Sequence, residues 1–127
     1  MQAPVQFENV FAELKKILAR YSSRLVCDRD DDHGYLLNTA YVMKNKKPLF
    51  FASVIINKNY VSYHLMPVYV YPELLEQLSV PLRQRMQGKS CFNFKVTDKK
   101  LFKELQDLTA RGFERYQIDG YVDADTQ

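Results

Sequence analysis

The stretch YLLNTAYVMKNKKPLFFASVIINKNYVSYHLM, residues 35–66, decides the fold. It holds three runs of strand composition, Tyr35 to Met43, Leu49 to Ile56 and Tyr60 to Met66, with short polar loops and no helical stretch between them. Parallel neighbours need a crossover of roughly a dozen residues, so runs this close together must pair as an antiparallel meander. In the first run Leu37, Thr39, Tyr41 and Met43 alternate with Leu36, Asn38, Ala40 and Val42, and the period of two places the sets on opposite faces. The second run is apolar on both faces, which puts it in the middle of the sheet. Lys44 to Pro48 and Asn57 to Asn59 are the connecting turns, and Pro67 closes the third strand.

Outward from the meander the pattern changes to helical spacing. Val10, Phe11, Leu14, Ile17, Leu18 and Tyr21 form one apolar stripe, with Glu13, Lys15, Lys16 and Arg20 on the other side, so a first helix is expected from about Glu8 to Ser22. Arg24 to Cys27 reads as a short strand, and Asp28 to Gly34, built from Asp, Arg, His and Gly, as a solvated loop. After the meander, Pro72 suits a first helical turn and Ser79 the cap of a second short helix through Met86. Gly88 is placed at a helix C′ position, before an alternating strand in which Phe92, Phe94 and Val96 share a face. Thr97 is the expected N-cap of a last helix whose buried stripe is Leu101, Phe102, Leu105 and Leu108, with Lys100/Glu104 and Asp107/Arg111 spaced as surface pairs. Gly112 either ends that helix or sits inside a continuation to Tyr116, and residues 119–127 read as a frayed tail.

The expected fold is therefore α+β: an antiparallel sheet, the meander plus one or two further strands, with the N- and C-terminal helices on one face. All 127 residues form one domain with a core from about 7 to 116. At this size about two-thirds of the unfolded surface is buried without staples. A 46% apolar and 26% charged composition fits a globular chain, and nine Tyr and eight Phe supply much of the core. The net charge of +3 is too small to imply a nucleic-acid partner without a concentrated patch. Cys27 and Cys91 lack C-x-x-C spacing, and no secretory apolar region precedes them, so reduced thiols and a cytoplasmic location are expected. The longest apolar run, Leu49 to Ile56, is less than half a membrane span, so no membrane partner is expected.

The chemistry-bearing residues are few. Asp28, Asp30, Asp31, Asp32 and His33 cluster as hard-cation ligands would, and Asp28, Asp30 and Asp32 match the first three ligand positions of an EF-hand loop. His33 then stands where the loop needs Gly, and Thr39 where it needs a bidentate Glu, so a wet acidic loop outweighs a metal site. His64 shares a strand side with Tyr60, Ser62 and Met66, which reads as a half-buried sheet histidine rather than a general base. Cys91 has no sequence neighbour that would lower its thiol pKa. No G-x-S-x-G, P-loop or G-x-G-x-x-G occurs, so no enzymatic activity is expected. Arg83, Arg85, Lys89, Lys95, Lys99, Lys100 and Lys103 make one segment basic, with Phe92 and Phe94 interleaved. Single-strand binding would need those rings to face solvent, and their alternation marks a core face instead.

The run KKPLFFASVIINKNYVSYHL, two short helical pieces, and then GKSCFNFKVTDKKLFKELQDLTARG together resemble the YdhG-like family of bacterial domains of unknown function. The likeness covers roughly Lys46 to Gly112 and rests on Lys47, Pro48, Leu49, Gly88, Lys89, Phe92, Phe94 and Leu101. It implies a frataxin-like build and, through at least one relative regarded as an iron chaperone, an iron-carrier function. The chain departs from that pattern: helix 1 mixes Glu8 and Glu13 with Lys15, Lys16 and Arg20, and Thr39, Ala40 and Tyr41 replace the family's Met-Pro in the first strand. The function expected is a non-catalytic binding or interaction module that uses the uncovered sheet face around Tyr41, Ser62 and His64 and needs no cofactor. A protein partner, a small ligand and a homodimer contact all remain open there. A frataxin-like carrier holding iron weakly at Asp28 to His33 is the alternative, and single-stranded nucleic-acid binding through 83 to 103 is a further one.

Overall fold

A computed structural model describes residues 5–123. Helix α1, Val5–Ala19, is followed by a short 3-10 turn at Ser22–Arg24. Four strands come next: β1, Val26–Asp31; β2, Gly34–Val42; β3, Pro48–Ile56; and β4, Val61–Leu65. Helix α2, Met66–Val70, a 3-10 turn at Pro72–Leu75 and helix α3, Val80–Arg83, lead to β5, Met86–Gln87, and β6, Cys91–Phe94. Helix α4, Lys99–Ile118, closes the order.

The six strands form one antiparallel sheet in the order β1-β2-β3-β4-β6-β5, with the meander β2-β3-β4 at its centre. The expected α+β class and the antiparallel meander are thus present. Both edges are short or charged: β5 has two residues, and β1 carries Asp28, Arg29, Asp30 and Asp31 with a register shift between Cys27 and Arg29. Charge and a bulge on an edge strand discourage further pairing.

The register separates the faces. Tyr35, Leu37, Ala52, Val54, Val61, Tyr63, Leu65, Phe92 and Phe94 are buried and point to the helices. A second register shift, between Leu37 and Asn38, inserts Phe51 beside Ala52, and a bulge of that kind brings both onto the same side. Phe51 is fully buried there against Phe113 and Tyr116. α1 contributes Val10, Leu14 and Leu18, and α4 contributes Leu105, Leu108 and Tyr116, all without solvent exposure. The hydroxyl groups of Tyr63 and Thr109 lie 2.6 Å apart, which satisfies the polar atoms that link sheet to α4.

Several local expectations are corrected by tertiary context. The acidic run is a strand rather than a loop, because Arg29, Asp30 and Asp31 pair with Leu36, Tyr35 and Gly34 and leave the turn to Asp32 and His33. Helix α3 stops at Arg83, so Gly88 serves the β5–β6 turn, where its φ of +73° suits a residue without Cβ. The N-cap of α4 is Asp98 instead of Thr97, since its carboxylate accepts the Leu101 N–H at 3.0 Å. Glu104 does not pair with Lys100; it accepts from the Ser79 N–H and hydroxyl at 2.8 and 2.6 Å and ties the start of α3 to α4. Ser79 caps α3 as expected. Helix α4 runs through Gly112, where an added Cβ would lie 2.7 Å from the Pro67 Cβ. The segment 119–123 is not frayed: Val122 is buried, Tyr121 packs on Tyr41 and Tyr116, and Tyr71 donates to Asp119. The rest of the expected tail, 124–127, lies outside the described residues.

Candidate functional site

All helices lie on one side, so the other side of the sheet is bare. Two cross-strand rows build it. Arg29, Leu36, Ser53, His64, Cys91 and Gln87 stand opposite one another in turn across all six strands. Beside them run Asp31, Gly34, Ile55, Ser62 and Asn93. Directly opposed side chains on an antiparallel sheet are near neighbours, about 5 Å between Cβ atoms, so each row is a continuous surface. Phe50 joins the rows from β3, its ring meeting the His64 imidazole edge-on at 4.8 Å.

The composition of this face is mixed. Leu36, Phe50 and Ile55 are half-buried, and so are Ser62, His64, Cys91 and Asn93. Asn93 donates through Nδ2 to the Gln87 side chain at 2.7 Å, while its buried Oδ1 has no hydrogen-bond partner among the described residues. At the β1 edge the Arg29 guanidinium lies over Gly34, where any side chain would collide with it, and binds Asp31 at 2.8 Å. The Arg29 contact and the His33 backbone N–H together hold the Asp31 carboxyl down to about 2.

Burial pushes the His64 pKa below its ordinary value, so the imidazole is neutral at pH 7 and available as both donor and acceptor. The folded state then resists protonation while the unfolded chain takes up a proton near pH 6.5. Stability contributed by neutral His64 is complete above that pH and is lost as the pH falls through it toward the depressed folded value. Denaturant midpoints measured from pH 7.5 to 5 are expected to fall less steeply in His64→Asn than in the parent chain. Parallel curves would show that His64 is not the titrating group.

Of the three residues expected on this face, Ser62 and His64 are there. Tyr41 is not: its ring turns to the helical side and meets Tyr121 edge-on at 4.8 Å. Alternation along β2 sets Tyr41 on the side of Leu37 and Thr39, which faces the helices, and the segment 119–123 docks on it there. Phe50, Ile55 and Asn93 belong to the face and were not singled out from the sequence, although a β3 run apolar on both sides already implied apolar side chains on the bare face. Cys91 stands opposite His64, but among the described residues no hydrogen bond joins them and none orients the imidazole.

The strand they form separates the acidic residues only in part: Asp31, Asp32 and His33 line one cleft of about 410 Å³ together with Glu8, Phe11 and Lys15 of α1. Asp30 turns toward α1 and accepts from Lys15 at 2.7 Å. Asp28 accepts from Asn38 and Asp31 from Arg29 on the bare side, leaving Asp32 and His33 at the hairpin tip. Among the described residues no three His, Cys, Asp or Glu side chains come together as metal ligands would. Phe92 and Phe94 are 0% and 3% exposed, which removes the stacking platform that single-strand binding through 83 to 103 would use. No helix of the described residues is long and apolar enough to cross a membrane. Comparison with known proteins finds no matching family model, and no curated protein or solved structure that matches significantly.

Proposed function

We propose that this protein is a non-catalytic binding module whose bare sheet face recognises the surface of a protein partner. The observation that carries the reading is the character of that face. Leu36, Phe50 and Ile55 lie on it beside the Asn93 amide and a neutral His64. An antiparallel sheet with one solvated side ordinarily alternates apolar inward and polar outward, so apolar residues on the outward side call for a covering surface. A neutral histidine, Ser62 and an amide next to them supply the polar contacts that fix orientation at an interface. Four clefts of about 410, 360, 240 and 230 Å³ are lined by the helices, the β1–β2 tip, the α3–β6 edge and the docked tail. A broad face of mixed apolar and polar side chains suits the surface of a protein.

A photo-reactive amino acid at position 62 tests this in cells. A discrete covalent adduct is expected, and it should disappear when Phe50→Ala and His64→Ala are added, with folding checked by thermal melting. Adducts no different from those formed by the same group at Lys58, in the β3–β4 turn, would remove the reading. A second copy of this chain in the adduct would make the partner a homodimer.

A further inference from the structure

We infer that the groove between α1 and α4 receives an acidic amphipathic helix of a partner protein. This groove belongs to the helical layer, on the opposite side of the sheet from Ser62 and His64, and the inference does not rest on the sheet-face reading. It is a cleft of about 360 Å³ whose walls carry Lys16 and Arg20 from α1 and Lys99 and Lys103 from α4. On each helix the two cations are four residues apart and so sit one above the other on one face, a like-charge arrangement that disfavours the isolated helix. Glu13 is the one carboxylate among the described lining residues, and it reaches Lys16 at 3.4 Å. Arg20, Lys99 and Lys103 have no ion pair among the described residues. Ile17 and Phe102 form the floor.

Pairs of cations four residues apart on two neighbouring helices, flanking an apolar floor, are the complement of a helix with Glu or Asp four apart on both sides of an apolar stripe. Helices dock into grooves in this way through anchors at i, i+3, i+4 and i+7. A nucleic-acid strand fits less well. Phe92 and Phe94, the other phenylalanines of the basic segment, are buried, so no row of exposed rings follows the cations for successive bases to stack on. A small polyanion would engage the cations and leave the floor unused.

The test uses the full chain and a synthetic helical peptide with Glu at i and i+4 on both sides of a Leu stripe. Its comparison probes are the same peptide with Ser for Leu, inorganic triphosphate and a single-stranded oligothymidine. The Glu/Leu peptide is expected to bind at low salt and to weaken as salt rises. Lys16→Glu with Lys103→Glu should weaken it at least about tenfold, as loss of paired rim charges does, and the Leu-to-Ser peptide should bind more weakly as well. Lys44→Glu with Lys46→Glu, at the distant β2–β3 turn, should leave it within about twofold. If the charge reversal perturbs folding, Lys16→Gln with Lys103→Gln carries the same test. The proposal is overturned if the peptide does not bind, if the β2–β3 variant loses as much, or if triphosphate or oligothymidine binds as tightly and competes. The cross-linking result at position 62 is independent of every one of these outcomes.

Discussion

Tyr116→Ala lowers the unfolding free energy by about 3–5 kcal/mol, the range for truncating a large buried aromatic. The residue has no solvent exposure and joins three parts of the molecule. Its ring meets Phe51 of β3 at 5.9 Å, Tyr71 at 6.2 Å and Tyr121 of the docked tail at 5.5 Å. Its hydroxyl donates to the Phe50 carbonyl at 2.9 Å, next to the register shift where a backbone acceptor would otherwise go unpaired. Burial raises the phenol pKa, so the group stays a neutral donor throughout the physiological range. Tyr116→Phe isolates that hydrogen bond and should cost about 1 kcal/mol. The Ala variant should also free the 119–123 segment, since Tyr121 loses one of its two ring partners and Tyr41 keeps the other. Denaturant unfolding gives the first quantity, and amide exchange at 119–123 the second. A loss under about 1 kcal/mol in Tyr116→Ala would show that the tail and α4 do not hold β3 through this side chain.

Gly112→Ala is expected to destabilise the protein, against the direction set by helix propensity. In an exposed helix interior the change gains about 1 kcal/mol. Here Gly112 is buried in α4 facing Pro67, and the new Cβ would come to 2.7 Å from the Pro67 Cβ and 3.1 Å from its Cγ. A pyrrolidine ring cannot rotate away, and Pro67 is itself fixed in the first turn of α2. Relief requires α2 to move off α4, and overpacking of this kind costs about 1–3 kcal/mol. With the propensity gain subtracted, a net loss of up to about 2 kcal/mol remains, or several degrees in Tm at roughly 4 °C per kcal/mol. Gly112→Leu should exceed it. A rise in Tm for Gly112→Ala would mean that α2 yields freely and that the glycine has no packing role.

The same glycine shows where legibility in the sequence ends. From periodicity alone Gly112 was equally a helix end and a helix interior, because its role depends on Pro67, 45 positions earlier. The acidic run failed for a related reason. Asp and Arg are poor strand formers, but β1 needs only backbone groups facing β2 to form, and its side chains can stay in water on an edge. Pairing then alternated the carboxylates between two sides, so Asp28 and Asp30 take separate partners while Asp31, Asp32 and His33 stay together along one cleft. Tyr41 was assigned to the bare face by composition, yet its ring contact comes from Tyr121, on a segment that looked like a free end. Ser62 and His64 share one side of β4, as strict alternation within that strand requires without knowledge of any other element.

What the chain determined by itself is what short-range spacing encodes. Alternation marked β2, β4 and β6, a continuous apolar run marked β3, the apolar stripes marked α1 and α4, and short connections forced the meander to be antiparallel. These signals are local: each follows from which neighbours a side chain must avoid or join within a few residues. Tertiary structure decided the rest. It set which cap α4 uses, recruited the acidic strand to an edge, laid the tail over Tyr41, and left one sheet face bare while bringing Lys16, Arg20, Lys99 and Lys103 around one groove. Those outcomes depend on contacts between residues distant in the chain, whose energies no local period records.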